Sequence, residues 1–515
     1  MEFSQYNNMK DKILFWLDGH LLYFCLAYSM SKKYNADYFA IIDITNKPKK
    51  FFQGQKFVDF KKTWFYNDHI KKNLEKIDLD YLTNFERKYG INLWKLAINE
   101  RLFYKYNSYH KFTRDEILAI LEQECKLFEK IVYEIKPNFL VTQDGGFHHG
   151  HLLCELCRQM GIKILMINIS KIYGKCYISQ KIHTIDYLEN LDAVKGKNLD
   201  FPQLVDLINK NTLSKPLMKF TNEIRSSKHS KLKAVTEFLL SANVNPKTHY
   251  QYYGRNKIHV LIKEIINIIR TRYRGSYIDK HFSYDIDDTT PFIYLPLHQE
   301  PERSLLLDAP FYTNQIETIL HIAKSIPVGF LLYVKEHPTQ GRLRGWRSIY
   351  YYKDIQEIPN VRLIHPSVSS EELIKKCTLV ISVGGTTAFE AAFFQKPSIM
   401  FTDLGYSILP SIFKVKSLDD LPKTIKLALE TNVNHSDLDK YVTALEENSF
   451  EFDWLDFIMR YQKIFFHDGN LVDVDIEQKK MALFLEKEKT ILDKLADEHI
   501  KKIEQHKIAE NHNGL

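Results

Sequence analysis

The amino-acid sequence predicts an α/β protein made of two halves, each built on a mostly parallel sheet, and three observations lead to this prediction. Short apolar runs alternate with helical patterns from Lys12 onwards, as in βαβ units. A second series of the same kind begins at Phe292. Between the two series, residues 285–291 are acidic and rich in turn formers, which is typical of a domain junction. We therefore expect two Rossmann-like domains facing a central cleft, where open α/β sheets bind their ligands.

The first half carries predicted strands at residues 12–17, 38–44, 138–142 and 163–168, each a short apolar run. Residues 50–135 are predicted to be helical, and apolar side chains recur at helical spacing over 116–135. Residues 200–285 lack strand patterns and are predicted to form basic helices with a loop at 274–276. We assign residues 1–285 to the first domain, which thus carries extra helices.

The second half carries predicted strands at residues 292–295, 330–335, 361–364, 379–383 and 398–401, with one more strand and helix over 413–429. These residues form the second domain, assigned to 286–430. Residues 431–515 are predicted to end in a charged helical tail. Its apolar positions Met481, Leu485, Leu492 and Leu495 follow a loose heptad, so we expect a packing or self-association helix over 476–508.

Length and composition place the chain among ordinary globular proteins. Its 515 residues are too many for a single hydrophobic core. Contents of 44% hydrophobic and 26% charged residues are typical of globular proteins. No apolar run of about 18 residues predicts a membrane span, and residues 1–17 lack a signal peptide pattern. Six cysteines without a secretion signal indicate reduced thiols. We expect a cytoplasmic protein.

Positive charge is concentrated in one segment. Residues 210–280 hold 15 lysines and arginines against four acidic residues, a net charge of +11, whereas the whole chain carries +7. Nucleic acid, an anionic membrane surface or an acidic glycan would each suit such a segment. A solvated helical surface is the alternative explanation.

The most informative stretch joins a buried strand to a helix through two glycines. Leu379 to Val383 is a short apolar run, Gly384 and Gly385 allow a tight turn, and helix-forming residues follow from Thr386. Such a turn aims backbone N–H groups and the positive end of a helix at one point, which favours phosphate. Alternatively, Thr387 and Glu390 form a helix capping box.

Three further loops follow predicted strands and should lie at the same edge of the sheet. They are 298–303 (His-Gln-Glu-Pro-Glu-Arg), 335–338 (Lys-Glu-His-Pro) and 365–370 (His-Pro-Ser-Val-Ser-Ser). Imidazoles, a lysine and helix N-termini suit a nucleotide phosphate. For Ser369 and Glu372 we expect mainly a capping box.

These motifs resemble a known family. The run Val-Lys-Glu-His-Pro at 334–338, the Ser-Val-Gly-Gly-Thr-Thr-Ala-Phe-Glu-Ala-Ala run at 382–392 and Lys396-Pro397 resemble the C-terminal lobe of GT-B glycosyltransferases. More narrowly, they are similar to the capsular polysaccharide biosynthesis family, which includes bacterial β-Kdo transferases and has sialyltransferase relatives that use CMP-sugars. The run Leu-His-Gln-Glu-Pro-Glu at 297–302 also resembles that family. The resemblance covers roughly residues 290–405.

The resemblance implies roles for residues of the second domain, which would bind the nucleotide-sugar. His337 would bind the donor phosphate and act in catalysis, and Glu390 would reach the ribose hydroxyls. The ribose and capping roles of Glu390 compete. The other donor-binding candidates are His298, Glu302, Lys335, Pro338, Ser382, Gly384, Gly385, Thr386 and Thr387.

The first domain would supply the catalytic carboxylate. The run Gln-Asp-Gly-Gly-Phe at 143–147 follows a predicted strand and resembles the acidic-Asp-Gly-Phe element of capsule transferases, with Gln143 in place of an acid and one extra glycine. Asp144 would be the general base of an inverting enzyme or the nucleophile of a retaining one. An Asp-Gly turn without catalytic function is the alternative. Asp18 and His20, after the first strand, are candidates for acceptor contact.

A cluster of histidines and cysteines raises the question of a metal. It comprises His148, His149, His151, Cys154, Cys157 and Cys176. The pair Cys154 and Cys157 has ligand spacing, but no second such pair follows, and both fall on a predicted apolar helix. We therefore expect small core residues, no metal and no cofactor, as in GT-B enzymes generally.

Three functions remain open from the sequence. The first is a cytoplasmic glycosyltransferase that moves a sugar, such as Kdo or another ulosonic acid from a CMP-donor, to a surface polysaccharide or a lipid-linked acceptor. Segment 210–280 would then hold that acceptor, or the enzyme itself, at the inner face of the membrane. The second is another GT-B enzyme, either a nucleotide-sugar 2-epimerase or a polyol-phosphate transferase of the teichoic-acid type. The third is a non-catalytic basic binding protein. We expect no nucleic acid partner.

Overall fold

The structure is a computed structural model that describes residues 10–72, 76–143, 146–172, 174–210, 228–242, 244–287 and 289–513. It contains two sheets, each the centre of one lobe. The first lobe is built on a seven-stranded sheet of order β13-β6-β5-β4-β1-β2-β3, and the second on a six-stranded sheet of order β12-β11-β10-β7-β8-β9. The strands are β1 Asp11–Leu17, β2 Ala36–Ile42, β3 Phe60–Phe65, β4 Phe139–Thr142, β5 Lys163–Ile169, β6 Lys175–Ser179, β7 Phe292–Pro296, β8 Leu331–Lys335, β9 Val361–Ile364, β10 Leu379–Ser382, β11 Ser398–Met400, β12 Ile412–Lys414 and β13 Phe450–Glu451.

Helices cover both faces of each sheet. Those before the second sheet are α1 Leu22–Lys33, α2 Asn46–Gly54, α3 Tyr66–His69, α4 Leu79–Tyr89, α5 Leu93–Asn99, α6 Arg114–Ile135, α7 His148–Gln159, α8 Phe201–Lys210, α9 Lys228–Leu240, α10 Asn245–Thr248 and α11 Lys257–His281. The later ones are α12 Gln315–Ser325, α13 Ile349–Gln356, α14 Ser370–Lys376, α15 Thr387–Phe393, α16 Leu421–Leu429, α17 His435–Glu447, α18 Trp454–Phe465, α19 Gln478–Lys487 and α20 Lys489–Asn513.

Parallel pairing dominates both sheets. All pairs of the second sheet are parallel. In the first sheet β6 pairs antiparallel with both β5 and β13, and the other pairs are parallel. Parallel strands are buried on both faces, and the central strands β1 and β10 are accordingly almost fully apolar and buried. The predicted α/β class with two Rossmann-like, GT-B-type halves and a helical tail is confirmed. Among the described residues, no helix is both long and apolar enough to span a bilayer.

The last part of the chain returns to the first lobe. Strand β13 pairs with β6, and α18 to α20 bury apolar side chains in the core that contains α1. Met481, Leu485, Leu492 and Leu495 are each at most 1% exposed. The stripe for which we expected packing or self-association is therefore covered by the chain itself.

A separate apolar cluster joins the lobes. It combines Ile172 and Leu204 of the first lobe with Phe389 of α15 and with Tyr441 of α17. Because this contact is apolar and buried, it stabilises the association of the two lobes. The carboxyl ends of both sets of parallel strands open above it.

Two local predictions are wrong. Residues 60–65 form strand β3 within a stretch that was predicted to be helical, and the predicted loop at 274–276 lies inside the continuous helix α11. Strand β3 lies at the edge of its sheet and carries Lys61 and Lys62, as edge strands often do, so its apolar pattern is weak. Gly275 is helical, and its missing side chain lets the indole of Trp346 approach closely, with Nε1 3.1 Å from an ideal Cβ.

Candidate functional site

The Gly-Gly loop follows β10 directly, as predicted, and its backbone is held from two sides. The Gly384 N–H donates to His298 Nε2 at 3.2 Å, and the Gly385 N–H donates to Ser382 Oγ at 2.9 Å. A Cβ at Gly385 would lie 2.8 Å from that hydroxyl oxygen, so only glycine fits. These two N–H groups are thus engaged within the loop, and the first turn of α15 supplies the N–H groups that lack partners inside the helix.

Glu390 does not form the expected capping box with Thr387. The Thr386 hydroxyl donates to Glu390 Oε1 at 2.8 Å, Thr386 is the N-cap residue, and no side chain caps the helix. The capping box of Thr387 and Glu390 is therefore not formed. The carboxylate instead lies near Lys171 of the first lobe. Burial lowers the pKa of Lys171 to about 8, and the charge of Glu390 opposes this shift.

In their neutral forms, His298 and His337 carry the proton on different ring nitrogens. His298 Nε2 accepts from Gly384, so in the neutral ring Nδ1 carries the proton and points to Glu302 Oε2 at 3.6 Å. His337 Nδ1 accepts from the Thr339 N–H at 3.2 Å, so the proton of the neutral ring is on Nε2. Burial lowers the pKa of His337, and the charges of Glu302 and Glu336 oppose this. His337 therefore offers one N–H donor at neutral pH.

Glu302 remains ionised between these imidazoles. Burial disfavours its charge, but the hydrogen bond and charge of His298, together with His337, hold the pKa of Glu302 below its usual value. Lys335, at the end of β8, is 3% exposed and donates from Nζ to Ser370 Oγ at 2.7 Å. Burial lowers the pKa of Lys335 to about 8. Pro338 is exposed at the rim of the loop.

Cationic side chains from both lobes surround this edge, and we call Arg101, Lys171, Arg303 and Arg344 the cleft cations. Burial lowers the pKa of Arg344, and the nearby charge of Arg101 lowers it further. Burial likewise lowers the pKa of Arg101, against the charges of Glu100 and Glu302.

The same positive charges contribute to lowering the pKa values of two nearby histidines. Burial lowers the pKa of His151 to about 3, and Arg303 adds to this shift. Burial also lowers the pKa of His183 well below its usual value, with contributions from Lys171 and Arg303. Positive groups gathered in a partly buried cleft favour an anionic ligand.

A buried arginine holds two of these loops in place. Arg347 donates from Nε to Glu336 Oε2 at 2.8 Å, from Nη1 to Glu300 Oε1 at 2.6 Å, and from Nη2 to the His298 carbonyl. Tyr352 also donates to Glu336, at 2.8 Å. The backbone of His298 and the residue before His337 are thereby fixed to one guanidinium. No sequence pattern indicates this role, because Arg347 lies in an irregular segment far along the chain from His298.

The strand ends of the first lobe form the opposite wall. The Asp18 carboxylate accepts from the His20 N–H at 2.8 Å and from the Gln143 side-chain amide. Burial raises the pKa of Asp18, although the charge of His20 opposes this. His20 Nδ1 contacts the Tyr461 hydroxyl at 2.9 Å. The two acceptor candidates thus share one polar network with the residue that precedes Asp144.

Asp144 and Gly145 lie outside the described residues, but both ends of their loop are placed. Gln143 bonds to Asp18, and the Gly146 carbonyl accepts from Arg101 Nη2 at 2.6 Å. Because Arg101 is one of the cleft cations, this loop begins and ends at the cleft.

The histidine and cysteine cluster is divided among different environments. Cys154 and Cys157 are buried in one core of the first lobe, whereas Cys176 belongs to the core on the other face of its sheet. Glu124, His148 and His149 lie close enough for their ligand atoms to share an ion. However, His148 is already held between Glu100 at 2.8 Å and Glu124 at 2.9 Å. Burial opposes its charge, yet the two glutamates raise the pKa of His148 to about 10.

Solved structures that resemble this one include several enzymes that act on nucleotide-sugars. The UDP-GlcNAc 2-epimerase from Methanocaldococcus jannaschii is 14% identical, covering 85% of this chain and 99% of that chain, with a TM-score of 0.24. KpsC from Thermosulfurimonas dismutans, described as a β-Kdo 2,4 transferase, is 11% identical, covering 59% of this chain and 78% of that chain, with a TM-score of 0.29. Its β-Kdo 2,7 transferase is 12% identical, covering 68% and 87%, with a TM-score of 0.28. These TM-scores are low, so the fold assignment depends on the sheet topology.

The sequence comparisons are narrower. The search of curated proteins finds no match to this chain. A family model described as "Capsule polysaccharide biosynthesis protein" matches residues 207–410, which include the His298, His337 and Gly-Gly loops. Over this segment the chain is therefore similar to the capsule polysaccharide biosynthesis family.

Proposed function

We propose that the protein is a glycosyltransferase that moves a sugar from a nucleotide-sugar to a surface-polysaccharide or lipid-linked acceptor. The observation that carries this proposal is the cleft itself. The His298, His337 and Gly-Gly loops of the second lobe face cationic groups of the first lobe, such as Lys171 beside Glu390. A sugar linked to a nucleotide through phosphate fits between them. The family match over residues 207–410 supports a role in polysaccharide synthesis.

The donor half of the site would be formed by the second lobe. His337 would donate its Nε2 proton to a phosphate oxygen, since its other ring nitrogen is occupied by Thr339. The first-turn N–H groups at Thr386 and Thr387 would face the same phosphate. Ser382 is fully buried and accepts from Gly385, so it would shape the loop rather than touch the donor. Glu390 would accept from the ribose hydroxyls after releasing Thr386.

The chemistry requires a group that takes the proton of the acceptor. In an inverting reaction, the Asp144 carboxylate takes the hydroxyl proton while the acceptor oxygen bonds to the anomeric carbon. The bond from that carbon to the phosphate oxygen breaks, and the nucleotide leaves with the electron pair. The cleft cations would stabilise the charge that develops on this leaving group. In a retaining reaction Asp144 would instead form the bond to the sugar first.

The sugar is proposed from the family resemblance to be Kdo or another ulosonic acid carried on CMP. Such a sugar bears its own carboxylate, so donor and sugar together present two anionic groups. A cleft with several cations suits this double charge better than it suits a neutral sugar.

A donor screen tests the proposal. The purified protein is incubated with CMP-, UDP-, GDP- and CDP-linked sugars, and released nucleotide is measured with and without glycan acceptors. We expect turnover of a CMP-ulosonic acid, reduced roughly 10²–10⁴-fold by Asp144→Asn. His337→Ala should weaken donor binding, whereas His321→Ala, on the exposed side of α12, serves as the matched control. Unchanged turnover in both site variants would refute the assignment, and release of a free epimerised sugar would indicate a 2-epimerase instead.

A further inference from the structure

Helix α11, which lies in the sequence between the strands of the first sheet and those of the second, exposes an apolar stripe to solvent. On α11, Ile258 is 72% exposed, Ile265 60%, Ile269 63% and Tyr273 70%. Ile262 and Ile266 are exposed as well. At 3.6 residues per turn these six side chains fall within an arc of about 100°. Monomeric globular proteins rarely leave a contiguous apolar surface of this kind uncovered, which marks it as an interaction site.

The opposite side of α11 contacts the protein. Asn267 and Thr271 lie against Gly345, each 3.1 Å from an ideal Cβ there. Lys263 donates to the Ser108 carbonyl, and Arg274 donates to the Trp346 carbonyl. The helix is therefore fixed to both lobes by its polar side, and the isoleucine stripe faces outwards.

Helix α9 carries a second stripe of exposed apolar side chains. Leu232 is 68% exposed and Leu240 83%, and Val235 and Leu239 are also exposed. Lys257, at the start of α11, donates to the Leu239 carbonyl at 2.7 Å, so the end of α9 lies at the start of α11. The two exposed stripes together form what we call the apolar face.

Charge identifies the occupant of the apolar face. Helices α9 and α11 carry nine lysines and arginines against three acidic residues. Arg270 and Arg272 flank the isoleucine stripe on either side of the arc. A second copy of this chain would bring two positive surfaces together, which like charges oppose. An apolar stripe bordered by arginines instead matches a membrane surface with anionic headgroups.

We infer that the apolar face docks on the surface of an anionic lipid bilayer. Isoleucine and leucine side chains enter the region between headgroups and acyl chains, and the flanking arginines contact lipid phosphates. Docking would also place the cleft at the bilayer, because Gly345 and Trp346 adjoin Arg344 and Arg347 of the candidate site. The inference concerns binding and does not depend on the proposed transferase activity.

Flotation with lipid vesicles tests the inference on the full chain. Vesicles of equal parts phosphatidylglycerol and phosphatidylcholine should bind the protein, and pure phosphatidylcholine should bind it far less. Ile265→Glu with Ile269→Glu should lower the partition coefficient at least about tenfold, since charge replaces inserted apolar surface. Arg270→Gln with Arg272→Gln should weaken binding most at low salt.

The matched control is Leu483→Glu, which changes a side chain of α19 that is 64% exposed and lies away from the apolar face. It should bind anionic vesicles like the unmodified protein. Circular dichroism and sedimentation velocity on every variant show whether folding or oligomeric state has changed. Two results would overturn the inference: anionic vesicles that do not bind the unmodified protein, or equal binding by the isoleucine variant. A dimer that the isoleucine variant converts to monomer, without vesicle binding, would assign the face to a second copy.

Discussion

Replacing Arg347 by methionine should destabilise the second lobe locally by about 3–5 kcal/mol, because the change leaves buried carboxylates without their arginine. Glu336 is 0% exposed, and Arg347 is 8% exposed. The guanidinium makes hydrogen bonds of 2.8 Å to Glu336 and 2.6 Å to Glu300. Methionine preserves much of the volume but none of these bonds.

Hydrogen exchange of peptides that contain His298 and His337 measures the effect. Since 1.4 kcal/mol is a factor of ten, local opening should become about 10²–10⁴-fold more frequent. Arg362→Met is the matched control. The Arg362 side chain is 41% exposed and lies 4.0 Å from Asp287, so its loss should cost less than about 1 kcal/mol. Equal exchange in the two variants would refute the positioning role of Arg347.

The ion pair between Arg347 and Glu300 predicts that the stability of the second lobe depends on pH. Burial opposes the charge of Glu300, but Arg347 holds the pKa of Glu300 below its usual value. The stability from this pair is therefore present above the pKa of the unfolded chain, about 4.3, and is lost as pH falls. The difference between the unmodified protein and Arg347→Met should be full at pH 7 and should shrink towards pH 4. A difference that grows on acidification would contradict this reasoning.

Three further predictions concern single sites. Gly385→Ala should weaken donor binding roughly tenfold or more in calorimetry, because its Cβ would lie 2.8 Å from Ser382 Oγ and must displace the loop. Lys171→Met should also weaken donor binding about tenfold, whereas exposed Lys181→Met should not; equal affinities would remove Lys171 from the site. His148→Gln should lower stability most below the unfolded pKa of about 6.5, and this loss should fade as pH rises through the folded pKa of about 10. Urea midpoints measured from pH 6 to 10 check the sign of this change.

Local patterns predicted much of the fold. Strand β9 begins and ends where its apolar run indicates, because the signal is contained in a few consecutive residues. The capping residue Ser369 likewise accepts from the Glu372 N–H at 3.3 Å. Edge strand β3 was not predicted, because two lysines interrupt its alternation of apolar and polar residues.

The candidate site was predicted only in part, because its geometry depends on distant contacts. The strand, glycine and helix of the Gly-Gly loop are adjacent in sequence, but the bond from Gly384 to His298 joins residues 86 positions apart. The cleft cation Arg101 lies in an aromatic stretch without a motif. Glu390 showed a helix-capping pattern, yet Thr386 rather than Thr387 became the N-cap. Sequence spacing cannot distinguish these two possible N-cap residues of helix α15.

The return of residues 450–503 to the first lobe sets an order for folding. The second lobe is contiguous in sequence, so the larger core of its sheet, which includes Ile425 and Ala428, can form as soon as residue 429 has been synthesised. The first lobe is discontinuous, and its core waits for side chains such as Phe457, Leu492 and Ile503. During synthesis, α1 must therefore remain partly uncovered for more than 400 residues. The half of the protein that is made first is the half that is finished last.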